Sequence, residues 1–353
     1  MKKAYLVLSD GRKFEGVRIG AEKDVSGELV FTTGVVGYLE TLTDPSYAGQ
    51  IVLQTFPQIG NYGVIGPDAE GACAANGYVV RELCDAPSNF RCEMDLDSWL
   101  KKNDVPGIAG VDTREITRIL REEGTMSACI VSDEASEELL SGCNAKNAVG
   151  RVSCRMEKIY PAIGEKKYSV TMLDYGAVNS LIAAMCERGC EVRLVPHDTK
   201  AKEIMENAPD GVVLSGGPGD PAENEDCIAE IGKLIGRVPM LGVGLGHQMA
   251  AIAMGGATAK LKYGHRGANQ PVKKAGSART YITSQNHGYI VEKLPEGARI
   301  IYENANDGTC EGLEYPGKGC MTVQFMPDSG MGAAGTGFIF DSFVSMMEAK
   351  NNA

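Results

Sequence analysis

The chain has no C-x-x-C pair, no long uninterrupted apolar run, no excess of basic residues and only four histidines. Each shortage excludes something. Without paired spacing, the 11 cysteines do not outline a structural zinc site, and their odd number argues against a complete disulfide framework. Free thiols in a reducing cytoplasm are expected instead. The apolar run after Met1-Lys2-Lys3 stops at Ser9-Asp10-Gly11, too short for a secretory signal, and reads as a strand and turn. The most apolar later region, Leu241 to Ala257, contains His247, Gln248 and several glycines, so it reads as core rather than membrane span. A net charge of -11 argues against nucleic acid or an anionic membrane as the partner. Any chemistry that needs an imidazole must draw on His197, His247, His265 or His287.

What is present is ordinary in bulk, with 43% hydrophobic and 23% charged residues. A length of 353 residues exceeds what one core usually holds, so two domains are expected. Residues 1–150 read as a mixed α+β domain, with strands at Tyr5–Leu8, Leu29–Thr32 and Ile51–Phe56. Helices are expected at Leu96–Lys102 and Arg114–Glu123, the second capped by Asp112-Thr113 and ended by Gly124. Residues 151–166 lack clear periodicity and read as a linker. From 167 to 353, strands near 169–174, 192–195, 211–215 and 240–243 alternate with helices near 179–188 and 226–235. That alternation predicts a mostly parallel, doubly wound α/β sheet, with its site at the carboxyl ends of the strands. Further strands at Arg279–Thr283, Ile290–Val291, Glu311–Tyr315 and Met321–Phe325 and a helix at Phe338–Glu348 complete it.

Three strings in this second half carry chemistry. Pro239-Met-Leu-Gly-Val-Gly-Leu-Gly-His-Gln248 reads as a buried strand, a tight glycine turn and a helix, the arrangement that presents a nucleophile in α/β hydrolytic enzymes. Gly216-Gly-Pro-Gly-Asp-Pro221 follows a strand end, where successive amides can point at an anionic or carbonyl oxygen. Gln285-Asn-His-Gly-Tyr289 is the third. The first string closely resembles P-x-x-G-[IV]-C-L-G-H-Q, the signature of the class I, triad-type glutamine amidotransferases. In the first half, Gly34-Val-Val-Gly-Tyr-Leu-Glu40, Thr43-Asp-Pro-Ser-Tyr47, Ile59-Gly-Asn61 and Gly107–Arg118 together resemble the N-terminal domain of the carbamoyl phosphate synthetase small subunit. Gly264-His-Arg-Gly-Ala-Asn-Gln-Pro271 resembles a further loop of that family.

The resemblance implies a class I amidotransferase sheet preceded by a domain that docks on a large synthetase subunit. It implies a glutamine pocket made of Ser46, Gly217, Gly219, Leu245, Gln248, Asn286, Gly288 and Tyr289, with Gly217 and Gly219 in the loop that supplies part of the oxyanion hole. No metal or cofactor is expected in this chain; ATP and magnesium are expected only in the large subunit, which makes carbamoyl phosphate for arginine or pyrimidine synthesis.

The catalytic triad departs from that family at each member. Amide cleavage by such a triad needs a thiolate, a neutral imidazole to take its proton, and a carboxylate to orient the imidazole. Gly244 stands where the family has its nucleophilic Cys. The family's Q-F-H-P-E string is here Gln324-Phe-Met-Pro-Asp328, so Met326 replaces the base and Asp328 the Glu. His247 occupies the elbow helix in active relatives too and does not supply the missing base. The expectation is a small-subunit homologue inactive as a glutaminase, partnered with a large subunit that uses ammonia. A working glutaminase with an unrecognised nucleophile, and a stand-alone module that binds glutamine or a related amide, remain alternatives. Glycine at 244 is expected to relax an elbow whose backbone would strain any other residue.

Overall fold

The computed structural model describes residues 2–132, 147–327 and 335–351. The chain divides into two compact units, Met1–Ala148 and Val149–Ala353. Among the described residues of the first, the strands are β1 (Lys3–Leu8), β2 (Lys13–Gly20), β3 (Val25–Thr32), β4 (Gln50–Gln54), β5 (Gln58–Ile59), β6 (Gly77–Val80), β7 (Glu82–Leu83), β8 (Pro106–Ala109) and β9 (Met126–Val131). Seven of them close into a barrel in the order β1-β2-β8-β6-β4-β3-β9, while β5 and β7 pair separately. Closure is sealed by β9, which runs antiparallel to both β1 and β3. Pairing both edges of the sheet removes the rim of unpaired backbone amides that an open sheet would carry.

Helices α1 (Tyr38–Thr43), α2 (Leu96–Lys102) and α3 (Thr113–Glu123) belong to this unit. Asp95 caps α2 by accepting from Ser98 N at 2.8 Å. Asp112 caps α3 by accepting from Arg114 N and Glu115 N, and Gly124 ends it at φ 98°. These two helices stand at the expected bounds because the capping residues are local signals. Tyr38, Leu39 and Leu42 of α1 and Leu96 and Leu100 of α2 pack with Val30, Val52 and Tyr78 of the barrel wall.

Helix α4 (Ala148–Val152) spans the boundary of the two units and runs into the stretch read as a linker, and strand β10 (Lys158–Tyr160) of the second unit lies within that stretch. β10 is an edge strand, antiparallel to β12 (Cys190–Pro196), so this stretch is part of the sheet. β11 (Tyr168–Asp174), β13 (Gly211–Leu214), β14 (Met240–Val243) and β19 (Cys320–Val323) join β12 as the parallel portion, in the order β12-β11-β13-β14-β19. These strands are buried on both faces. Val212 and Leu214 pack into one apolar cluster and Val213 into the other. That double burial explains their continuous apolar runs. The helices between them are α5 (Asn179–Glu187), α6 (Ala201–Glu206), α7 (Glu225–Leu234) and α8 (Leu245–Ala253), and α9 (Phe338–Asn351) closes the unit.

Beyond β19 the sheet continues antiparallel through β18 (Cys310–Tyr315), β17 (Arg299–Asn304), β15 (Ala257–Lys274) and β16 (Thr280–Lys293). The string Gly264–Pro271, read as a loop, lies inside β15, and Gln285–Tyr289 lies inside β16. The register of this hairpin breaks between Lys260 and His265 and again between Gly267 and Gln270. Such irregularities let a strand hold glycines and a proline that a regular ladder would reject. No helix among the described residues is long and apolar enough to cross a membrane.

One side chain of the first unit makes its stability depend on pH. Burial pushes the Glu40 carboxyl up to about 7, helped by the charges of Asp68 and Glu70. The folded state therefore holds this proton to higher pH than the unfolded chain does. Its stabilising contribution is complete below about 4.5 and is lost as pH rises through about 7. Glu40→Gln should raise the melting temperature at pH 8 by roughly 2–4 °C for each kcal/mol gained, and leave it nearly unchanged at pH 4. Thermal melts of both proteins at the two pH values check this.

Candidate functional site

The site is built at the carboxyl ends of the parallel strands, where β11, β13, β14 and β19 each release a loop. β14 ends at Val243, Gly244 follows, and α8 begins at once with Leu245. Gly244 N donates to Val323 O at 2.9 Å, which continues the ladder with β19, and Gln248 N donates to Gly244 O at 3.2 Å, which opens the helix. Serving both elements in one residue forces φ 54° and ψ -112°. A residue with a side chain would hold that backbone at a cost of about 1–3 kcal/mol. Glycine removes the steric part of it. This is the relaxed elbow that the sequence led us to expect. The space for a side chain is still there: a Cβ at 244 would meet only Gly216 Cα at 3.4 Å and Gln324 O at 3.8 Å, both ordinary contacts.

The glycine loop after β13 is fixed from two sides. Ser215 is fully buried; its Oγ accepts from Tyr175 N at 2.9 Å and donates to Gly216 O at 3.0 Å. Its carbonyl accepts from Gly246 N of α8 at 3.1 Å. Gly217 passes so near the end of β11 that a Cβ there would lie 2.2 Å from Tyr175 O and 3.0 Å from Leu245 Cδ2. Only glycine fits. The loop backbone is thus pressed against the start of α8. Leu245 is the first residue of that helix, so its N–H has no intrahelical acceptor. Gly217 and Leu245, which the resemblance assigns to the glutamine pocket, are thus neighbours.

Of the remaining pocket residues, Gln248 and Tyr289 are joined directly. Gln248 Nε2 donates to Tyr289 O at 2.6 Å and to Gln324 Oε1 at 2.9 Å, tying α8 to β16 and to the end of β19. Asn286 pairs in register with Arg266 of β15, and Arg266 Nη2 would lie 3.2 Å from a Cβ at Gly288. Gly219 turns the loop at φ 88°. Ser46 belongs to the first unit, where its N donates to Asp44 Oδ1 at 2.8 Å. Gln324, the first residue of the string that ends at Asp328, joins this group although the resemblance did not place it in the pocket. Its position two residues before Met326 was the available signal.

Residue 326, where the resemblance puts the base, is a methionine. Met326 N donates to Ser284 O at 3.0 Å, which fixes it beside β16. Its Cε lies 3.7 Å from where a Cβ of Gly216 would be, on the same glycine that borders residue 244. A thioether there fills apolar space and cannot take and return a proton. Asp328 lies outside the described residues.

His247 is fully buried on α8, its Nδ1 is 2.7 Å from Thr322 Oγ1, and burial holds its pKa down to about 3. His197 follows β12, which stands three places from β14 in the sheet, or about 14 Å at ordinary strand spacing. His265 has its Nε2 on Asp307 Oδ2 at 2.8 Å. His287 has its Nδ1 on Tyr289 O at 2.9 Å, and burial, then the His265 charge, hold its pKa far below the usual value. The ten cysteines among the described residues are free thiols. Burial pushes Cys310 and Cys320 up to about 12 and Cys154, Cys190 and Cys227 up to about 11, and raises Cys186. An activated nucleophile is shifted the other way.

With this geometry in place, likenesses to known proteins can be set beside it. Residues 6–130 match the family described as carbamoyl-phosphate synthase small chain, CPSase domain, and residues 171–346 match glutamine amidotransferase class-I. A carbamoyl phosphate synthase small chain from Clostridium perfringens is 45% identical over 347 residues, covering 97% of this chain and 99% of that one. One from Listeria monocytogenes is 42% identical over 359 residues, covering 99% and 98%. A solved glutamine amidotransferase structure from Thermotoga maritima covers 52% of this chain and 85% of its own, at 17% identity and a TM-score of 0.38. The barrel unit, the elbow sheet and end-to-end identity to such relatives together make this chain a member of the carbamoyl phosphate synthase small chain family.

Proposed function

We propose that this chain fills the small-chain role without hydrolysing glutamine. Its partner would be a large subunit that makes carbamoyl phosphate from bicarbonate, ATP and free ammonia in the cytoplasm. ATP and magnesium would bind to that partner, with no cofactor here. The observation that carries this reading is the elbow itself. Residue 244 keeps the nucleophile's backbone conformation while offering no side chain. Met326 beside Gly216 supports it, because restoring a thiol alone would leave nothing to accept its proton.

A second reading rests on what is retained. The glycine loop, Leu245, Gln248 and Tyr289 still converge, and the Gln248 amide is held by two hydrogen bonds. Such a pocket suits a glutamine side chain or a similar amide. Binding without cleavage would let glutamine act as a signal on the partner rather than as its nitrogen source.

Removing every member of a comparable hydrolytic triad lowers kcat by roughly 2 × 10⁶. With a co-purified large subunit, carbamoyl phosphate synthesis should therefore run on ammonium chloride and stay at background on glutamine. Equal rates from the two nitrogen sources would refute the proposal. Gly244→Cys alone should remain inert as a glutaminase, since the base is missing. Gly244→Cys with Met326→His and Asp328→Glu should release measurable ammonia from glutamine. Turnover by the single variant would show that a base exists elsewhere.

A further inference from the structure

Three side chains in the antiparallel half of the second unit meet without a role in the elbow chemistry. His265 comes from β15, His287 from β16 and Glu311 from β18. One donor atom from each lies within 4.8 Å of the other two. The imidazole rings meet edge to face, with centroids 5.1 Å apart. Glu311 is fully buried, and its Oε2 has no hydrogen-bond partner. A carboxylate oxygen left bare in the interior is costly unless something positive meets it.

We propose that His265, His287 and Glu311 bind one divalent transition cation of the zinc type. The outer nitrogens of both imidazoles are already held. His265 Nε2 donates to Asp307 Oδ2 at 2.8 Å, and the lone pair of its Nδ1 accepts from Asn304 Nδ2 at 3.4 Å, a long contact that an ion would displace. His287 Nδ1 donates to the Tyr289 carbonyl at 2.9 Å, which leaves Nε2. Glu311 Oε1 accepts from Asn304 Nδ2 at 3.0 Å and lies 3.6 Å from His265 Nδ1, while Oε2 has no partner. A carboxylate or carbonyl behind each imidazole is the usual means of fixing the tautomer of a metal-bound histidine. Gln285 Oε1, 3.0 Å from His287 Nε2, adds an oxygen at the same point.

The ligand set selects the ion. Two imidazoles and one carboxylate suit zinc, iron(II), cobalt or nickel, whereas magnesium and calcium take oxygen ligands. Tetrahedral ligands at about 2.0–2.1 Å stand roughly 3.4 Å apart. Closing from 4.8 Å, the widest separation among the three, asks each side chain to move inward by about 0.8 Å. The charge balance also works. The Arg266 guanidinium opposes a cation near His287, and the carboxylates of Asp307 and Glu311 offset it. The competing occupant is a proton on His265, whose Nδ1 lies 3.6 Å from Glu311 Oε1. A bound ion would cross-link three strands, one of them the strand that carries Asn286 and Tyr289.

The test uses the full chain, stripped with a chelator, dialysed and titrated with zinc chloride by calorimetry. One saturating equivalent is expected, with a rise in melting temperature. Glu311→Gln and His287→Asn should each weaken binding at least tenfold. Cobalt(II) loaded into the unsubstituted protein should lack a thiolate charge-transfer band, which separates this site from the cysteines and needs no variant to fold. Absence of a saturating site, a thiolate band in the cobalt spectrum, or unchanged affinity in both variants would overturn the assignment.

Discussion

The backbone of residue 244 has to finish a strand and begin a helix within a single pair of torsion angles. Its N–H belongs to the ladder with β19 and its carbonyl to the first turn of α8. Every other feature of the site follows from that crossing. It sets the first amides of α8 beside the glycine loop, which Tyr175 and Gly246 pin from opposite sides. It also puts Gln248 one helical turn further on, in reach of both β16 and the end of β19.

On the proposed reading, in which the thiol has been lost, keeping this geometry makes physical sense. The torsion angles are imposed by the sheet and the helix, each anchored by buried residues such as Val243, Met249 and Ala250. A cysteine in that conformation stores strain for its reactivity; glycine holds the same conformation almost without strain. The catalytic side chain can therefore be exchanged without disturbing the scaffold. The base position follows the same logic, with Met326 filling space beside Gly216 where a polar ring would need a partner. On the proposed reading, what survives is the part that binds and positions, and what is gone is the part that transfers a proton.

Much of this was legible in the sequence wherever the signal was local. Asp112 and Gly124 announced α3 at both ends, and Asp95 supplies the matching cap for α2. The strand, turn and helix around Gly244 were written in one continuous string. Non-local pairing was harder. Closure of the barrel depends on β9 returning to β1 from the far end of the unit, which no short pattern encodes. The string Gly264–Pro271 has the composition of a loop, yet its pairing with β16 holds it extended. His265, His287 and Glu311 come from three different strands, so their convergence belongs to tertiary structure alone.

Covalent trapping tests the loss of the nucleophile most directly. The purified chain, incubated with an electrophilic glutamine analogue such as a diazoketone, is weighed intact by mass spectrometry. The expected result is an unmodified mass, with no residue labelled at a stoichiometry that glutamine suppresses. A single stoichiometric adduct, protected by glutamine, would contradict the central claim and reveal a thiol that reaches the elbow from elsewhere in the chain.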